Sequence, residues 1–164
     1  MIKTIGHNNK VLDLGCAPGS WLIYAAKISG INGKAYGLDI NEINIKLPKN
    51  AVSYKENILN INKTPLGIIK YNVVLSDMAP LTSGRKDVDA ARSFKLCEIA
   101  LEKACDLLVL NGNFLCKIFQ GKEFKQFELN VKSNFKKTII FKPKSSRKSS
   151  KEIFIIGLGK TRGN

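Results

Sequence analysis

The chain is poor in the residues that staple or metallate small proteins. Its 164 residues include one histidine and four cysteines. Cys16, Cys97, Cys105 and Cys116 are scattered, with no Cys-x-x-Cys pair among them. That pattern argues against a zinc site or a disulfide framework, so no metal is expected and a reducing, cytoplasmic compartment is. Hydrophobic residues make up 44% of the chain, yet no apolar run approaches the ~18 residues of a membrane helix. Met1-Ile2-Lys3-Thr4-Ile5-Gly6-His7 has no apolar stretch of the kind a secretory signal carries. Acids are scarcest of all: 13 of them face 27 lysines and arginines, for a net charge of +14. A balance this basic attracts polyanions through a phosphate term that ignores sequence. Solubility, or the Lys/Asn/Ile bias of an AT-rich genome, is the competing explanation. The distribution favours the first, because basic residues from Lys136 to Lys151 run with no acid until Glu152. Within that run Lys142, Lys144, Arg147, Lys148 and Lys151 form a candidate nucleic-acid footprint.

What is present reads as one domain over residues 1–164, without repeats or an interdomain linker. Strand and helix patterns alternate, which predicts an α/β fold: a mostly parallel sheet with helices on both faces. Strands are expected at 10–15, 34–39, 51–54, 71–76, 113–118, 137–142 and 152–158. Helices are expected at 19–29, 41–46, 89–110 and 122–134. Asn111-Gly112 has the residue types that end a helix in the left-handed region.

The most telling segment is Val11-Leu12-Asp13-Leu14-Gly15-Cys16-Ala17-Pro18-Gly19-Ser20-Trp21. It is a strand running into a glycine turn that opens a helix, the place where open α/β sheets bind cofactors. Glycines there let the backbone approach a ligand that a Cβ would repel. The spacing is Gly-x-x-x-Gly, not the Gly-x-Gly-x-x-Gly of pyrophosphate binders. Asp13 would repel a pyrophosphate and suits a cationic, amino-acid-bearing ligand such as S-adenosylmethionine. The candidate cofactor residues of this loop are Asp13, Gly15, Pro18 and Gly19. Asp39 ends the next strand, where an acid accepts hydrogen bonds from ribose hydroxyls in nicotinamide and methionine cofactors alike. For Asp13 and Asp39 the plainer alternative is a strand-end acid capping a helix.

Two further strands carry chemistry. Val73-Val74-Leu75-Ser76-Asp77-Met78-Ala79-Pro80 delivers an acid at its carboxyl end, and Phe114-Leu115-Cys116-Lys117-Ile118-Phe119-Gln120-Gly121 places a lysine inside an apolar run. Such a lysine is expensive to desolvate unless it is paired or its pKa falls. Asp77 is the obvious partner. Glu152 opens the last strand, and if that strand is antiparallel, Asp77, Lys117 and Glu152 meet at the cofactor mouth. Such a cluster suits alkyl transfer to a hydroxyl, with the lysine accepting the proton or stabilising the oxyanion. Snorkelling of Lys117 and a surface pair for Glu152 are the alternatives.

These segments, together with Ser83-Gly84 and Lys142-Pro143-x-Ser145-Ser146-Arg147-x-Ser149-Ser150-x-Glu152, resemble the FtsJ/RrmJ family in order and spacing. That family comprises S-adenosylmethionine-dependent RNA ribose 2′-O-methyltransferases. The resemblance implies a Rossmann-like class I methyltransferase fold, a seven-stranded sheet with an antiparallel last strand. It implies cofactor contacts at Gly19, Trp21, Asp39 and Asp77, and at Asn57, where the family usually has an Asp that reads the adenine amino group. An Asn amide oxygen can accept the same hydrogen bond. The family's catalytic set is Lys-Asp-Lys-Glu, and Asp77, Lys117 and Glu152 match its last three members. The first lysine lies in an aromatic-lysine-leucine helix upstream of the glycine loop and has no match here. An N-terminal segment is therefore expected to be missing, through a truncated start or through loss of part of the RNA-binding and catalytic apparatus. The expected substrate is a uridine ribose of large-subunit ribosomal RNA, free or in the subunit, acted on by a monomer. The alternatives are a tRNA 2′-O-methyltransferase and a non-catalytic cofactor- and RNA-binding module.

Overall fold

The computed structural model describes residues 4–80, 83–143 and 152–162. Its strands are β1 (Lys10–Leu14), β2 (Lys34–Asp39), β3 (Ala51–Lys55), β4 (Tyr71–Ser76), β5 (Leu108–Phe119), β6 (Phe135–Phe141) and β7 (Glu152–Lys160). They form one sheet in the order β3-β2-β1-β4-β5-β7-β6. β7 runs antiparallel to β5 and β6, and the other pairings are parallel. The order reverses between β1 and β4, which opens a crevice at their carboxyl ends.

Alternation along each strand assigns the two faces. Leu12, Leu14, Val74, Phe114, Cys116 and Ile155 pack on the side of α2 (Lys86–Leu107) and α3 (Phe124–Asn134). Those helices answer with Cys97, Ala100, Leu101, Ala104, Phe127 and Val131. Val11, Val73, Leu75, Leu115 and Ile156 face α1 (Ser20–Ser29), which buries Leu22, Ala25 and Ala26. Period two therefore puts Asp13, Lys117 and Phe154 on the α1 side, one residue out of step with the apolar rows of the other face.

Two expectations fail for identifiable reasons. Residues 41–46 form no helix. Asp39 Oδ1 accepts from Asn41 N at 2.7 Å, which turns the chain, and the β-branched Ile43 and Ile45 then lean together on Gly19 at the two-residue spacing of extended backbone. Asn111-Gly112 does not end α2. The chain turns extended at Leu108, which is buried and pairs with Tyr71, and Asn111 (φ 64°) sits inside β5 where the β4 register shifts. Between β3 and β4 lie two 3₁₀ segments, Ile58–Lys63 and Pro65–Gly67, capped by the side chains of Asn57 and Thr64.

Gly157 is demanded by an aromatic ring. A Cβ there would lie 2.5 Å from Phe135 Cγ, and Phe135 is buried in a stack on Phe114 with ring centroids 6.0 Å apart. Overpacking of this kind destabilises by about 1–3 kcal/mol. Gly157→Ala is expected to lower the urea midpoint accordingly. An unchanged midpoint would mean that the Phe135 ring has room to move.

Candidate active site

The glycine loop leaves β1 at Gly15, whose φ of 79° lies in the left-handed region that favours glycine. A Cβ at this position would stand 2.7 Å from Met78 Cγ and 3.0 Å from Met78 backbone atoms. A Cβ on Gly19 (φ 118°) would stand 2.9 Å from Ile45 Cδ1. Close approach is therefore the reason for both glycines, but the neighbour they admit is the protein's own chain rather than a ligand. A cis Ala17–Pro18 bond lies between them. Asp39 Oδ2 accepts from Ala17 N at 3.0 Å, so this acid ties the loop to the end of β2. Asp39 has no following helix to cap and ties loop and turn instead, and a carboxylate with both oxygens so used can still accept from further donors.

Asp13 is different. It is fully buried on the α1 side, and neither carboxyl oxygen has a hydrogen-bond partner. Burial, with the charges of Asp77 and Asp39 added, pushes its pKa up to about 8. Burial, with the charges of Asp13 and Asp39 added, pushes the neighbouring Cys16 thiol up to about 12. An unpartnered buried carboxyl is costly, and a ligand cation at this place would supply what the protein does not. Beside it, α1 starts at Gly19 with no side-chain cap and no acid in its first turn. Its leading N–H groups and dipole suit an anion. A cation-seeking carboxyl next to an anion-seeking helix end is the complement of an α-amino acid zwitterion, so the residues present fit the methionine moiety of S-adenosylmethionine.

The remaining cofactor candidates are placed less simply. Asn57 is exposed beyond β3, but its amide oxygen accepts from Leu59 N at 2.9 Å as the cap of the first 3₁₀ segment. One lone pair of that oxygen is already engaged. Trp21, in the first turn of α1, packs at a tilt against Phe154 with centroids 5.8 Å apart. Ile40, which sequence reasoning passed over, follows Asp39 and is 62% exposed, offering an apolar surface beside the ribose candidate. Its only signal in the sequence is an apolar residue just past a strand-end acid.

The three charged residues do meet. Lys117 Nζ lies 2.7 Å from Asp77 Oδ1 and 4.0 Å from Glu152 Oε1. It also donates to the Asp77 carbonyl at 3.4 Å. Parallel pairing of β4 with β5 brings Asp77 and Lys117 to the same sheet end, and the antiparallel β7 starts there with Glu152 opposite Phe119. Pairing is thus how this chain meets the desolvation problem of a lysine between Cys116 and Ile118. Lys117 is the most enclosed of the three, its side chain 14% exposed against 33% for Asp77 and 44% for Glu152. Of the basic footprint, Lys142 is exposed just past β6. Lys144, Arg147, Lys148 and Lys151 lie outside the described residues.

A model of the FtsJ-like methyltransferases matches residues 1–160. The chain belongs to this family. Among curated FtsJ-like relatives, the chain is 59% identical over 160 residues to a protein of Desulforapulum autotrophicum named ribosomal RNA large subunit methyltransferase E, covering 96% of this chain and 79% of that one. A protein of the same name from Desulfosudis oleivorans is 46% identical, with 93% and 74% covered. A ribosomal RNA methyltransferase from Plasmodium falciparum superposes with a TM-score of 0.76 at 24% identity, over 94% of this chain and 87% of that one. The fibrillarin pre-rRNA processing protein of Methanococcus jannaschii does so with a TM-score of 0.72 at 14% identity, over 99% and 71%. At these identities the two structures show the shared Rossmann-like methyltransferase fold. Among the described residues, no helix is long and apolar enough to cross a membrane.

Proposed function

We propose that the protein transfers the methyl group of S-adenosylmethionine to a ribose 2′-hydroxyl of large-subunit ribosomal RNA, at a uridine. It would act as a monomer in the cytoplasm on the free RNA or the ribosomal subunit. The observation that carries this reading is the Lys117 cluster, 2.7 Å from Asp77 and within 4.0 Å of Glu152, on the sheet end that also holds the unpartnered Asp13. Family membership and the printed names of the relatives support the substrate class.

When bound, S-adenosylmethionine supplies an electrophilic methyl group on a sulfonium. Asp13 and the α1 N-terminus would hold its amino-acid end, Asp39 its ribose, and Asn57 and Ile40 its base, with Gly15, Pro18, Gly19 and Trp21 shaping the loop around it. The chain's own task is the acceptor. The 2′-hydroxyl loses its proton as its oxygen gains the methyl, and the ammonium of Lys117 donates to and stabilises the oxygen as charge develops there. Asp77 and Glu152 hold that ammonium in place, and Glu152, the more exposed acid, passes the departing proton to water. Fixing acceptor and donor in line contributes much of the remaining acceleration. Lys142, Lys144, Arg147, Lys148 and Lys151 would bind phosphates of the RNA, so affinity should fall steeply with salt.

The test is tritiated methyl transfer to purified large subunits, deproteinised ribosomal RNA and bulk tRNA, followed by nucleoside analysis. Label in a 2′-O-methylated nucleoside of the ribosomal substrate is expected. Label in tRNA alone would move the assignment to tRNA. Cofactor binding without label in any RNA would leave a binding module.

A further inference from the structure

We propose that Phe154 is a positioning residue that sets the spacing between the cofactor loop and Lys117. The inference rests on the function proposed above. Phe154 lies directly opposite Lys117 across the β5–β7 pair, and two residues beyond Glu152 on the same strand face. Directly opposed residues in an antiparallel pair keep their Cβ atoms about 5 Å apart, so the ring lies alongside the lysine stem. On the α1 side the same ring packs at a tilt against Trp21, with centroids 5.8 Å apart and planes inclined by 32°. Trp21 belongs to the first turn of α1, immediately after Gly19. Phe154 thus reaches the first turn of α1 from the strand that carries Glu152, while lying directly opposite Lys117.

Among the described residues, neither ring is packed all round, and both are half-buried. Both border an apolar cavity of about 260 Å³ that Tyr24, Leu115 and Phe141 also line. With open volume on that side, the contact between the rings fixes their places, as aromatic pairs of this kind can. Methyl transfer needs the acceptor oxygen in line with the donor carbon, and a displacement of 1 Å can lower a rate by about a hundredfold. A side chain joining the two halves of the centre governs that distance without touching the reacting atoms.

The test uses Phe154→Ala, Phe154→Leu and Phe154→Tyr in the full chain. Trp21 is the only tryptophan, so its emission reports the contact directly. Leu keeps the apolar bulk without the ring, and Tyr keeps the ring. We expect Ala and Leu to lower kcat by about tenfold to a hundredfold at saturating cofactor, with cofactor Kd changed far less. Trp21 emission should shift to the red and become more open to acrylamide in both, and Tyr should restore kcat and emission together. Wild-type kcat in the Ala and Leu variants, or unmoved Trp21 emission, would overturn the proposal. So would full recovery with Leu, which would mean that bulk alone matters. If the wild type itself methylates no RNA, the functional reading fails instead, while the emission arm still decides whether Phe154 holds Trp21.

Discussion

Replacing Lys117 by alanine is expected to lower methyl transfer by about 10³-fold or more while leaving S-adenosylmethionine affinity within a few-fold of wild type. The size follows from removing a preorganised donor at the place where oxyanion charge develops, an effect of about 10²–10³ in kcat by itself. Proton transfer that depends on the same cluster adds to it. Cofactor affinity is spared because the residues proposed to hold the cofactor sit on β1, β2, the α1 N-terminus and the turns after β2 and β3, whereas Lys117 is on β5. The substitution also leaves Asp77 and Glu152 without the cation between them, so some destabilisation is expected. A thermal melt separates that from the chemistry, because the folded fraction at assay temperature must account for the entire loss if Lys117 is only structural. Retained turnover in a folded Lys117→Ala protein would remove this residue from the mechanism. Lys117→Arg is a stringent companion: it keeps the charge but presents a planar fork in place of a compact ammonium. It should recover stability and little of the rate.

Cofactor affinity is expected to rise with pH through the range below about 8, with release of a proton on binding. The group responsible is Asp13, whose carboxyl is pushed up to about 8 by burial and by the negative charges of Asp77 and Asp39. The charged or titratable groups around it are Asp39 at the end of β2, Asp77 after β4 with its partner Lys117, and the Cys16 thiol of the glycine loop. In the free protein near neutrality Asp13 is mostly protonated, whereas a bound α-ammonium favours the carboxylate. Well below pH 8 the apparent affinity should therefore climb by up to about tenfold per pH unit. It should flatten near pH 8, where an α-ammonium of ordinary pKa ~8 begins to lose its own proton. Calorimetry in two buffers of different ionisation enthalpy counts the released protons. A pH-independent Kd without proton release would show that the cofactor leaves Asp13 neutral.

The same shift has a consequence for stability with the opposite sense. Because the folded pKa lies above the value of 3.8 in the unfolded chain, the folded state binds the extra proton between pH 3.8 and about 8. Stability of the free protein is fully present below the lower value and is lost as pH rises towards the upper one, by about 1.4 kcal/mol per pH unit. Asp13→Asn removes that loss. The variant should melt above wild type at pH 7.5, with the gap narrowing at pH 5 and closing only near pH 3.8, and should bind S-adenosylmethionine about tenfold more weakly at pH 8 without the pH slope. Under the proposed function, a buried acid that awaits a ligand cation lowers the stability of the free fold, the pattern expected at functional sites.

Local patterns in the chain carried a large part of this architecture. Short apolar runs in Val11–Leu14, Val73–Ser76 and Phe114–Ile118 marked strands because burial follows backbone geometry, and a strand covered on both faces is apolar nearly throughout. The spacing of Ala100, Leu101, Ala104 and Leu107 marked α2 for the same reason. A lysine among Cys116 and Ile118 advertised its need for a partner, and Asp77 supplied it, since the cost of desolvating a charge is independent of fold detail. Basic excess and the Gly-x-x-x-Gly turn pointed to a polyanion and to a cofactor other than a dinucleotide on equally local grounds.

What the linear chain left open depended on residues far apart in it. Whether Asp13 caps an N–H group or is orphaned turns on which donors the folded chain brings near it; no hydrogen bond reaches either oxygen, and Asp39 and Asp77 add like charge. Gly15 and Gly19 are required by Met78 and Ile45, neighbours that only the crossovers bring near. Residues 41–46 lost their helix to the Asp39 turn and to the space over Gly19, and Asn111-Gly112 became an irregularity inside β5 because Leu108 was drawn into the sheet beside Tyr71. The contact of Trp21 with Phe154 joins α1 to a strand at the far end of the chain. Periodicity and side-chain chemistry are short-range and legible in order. Burial, charge coupling and close approach are set by partners that meet only when the sheet closes the distance between them.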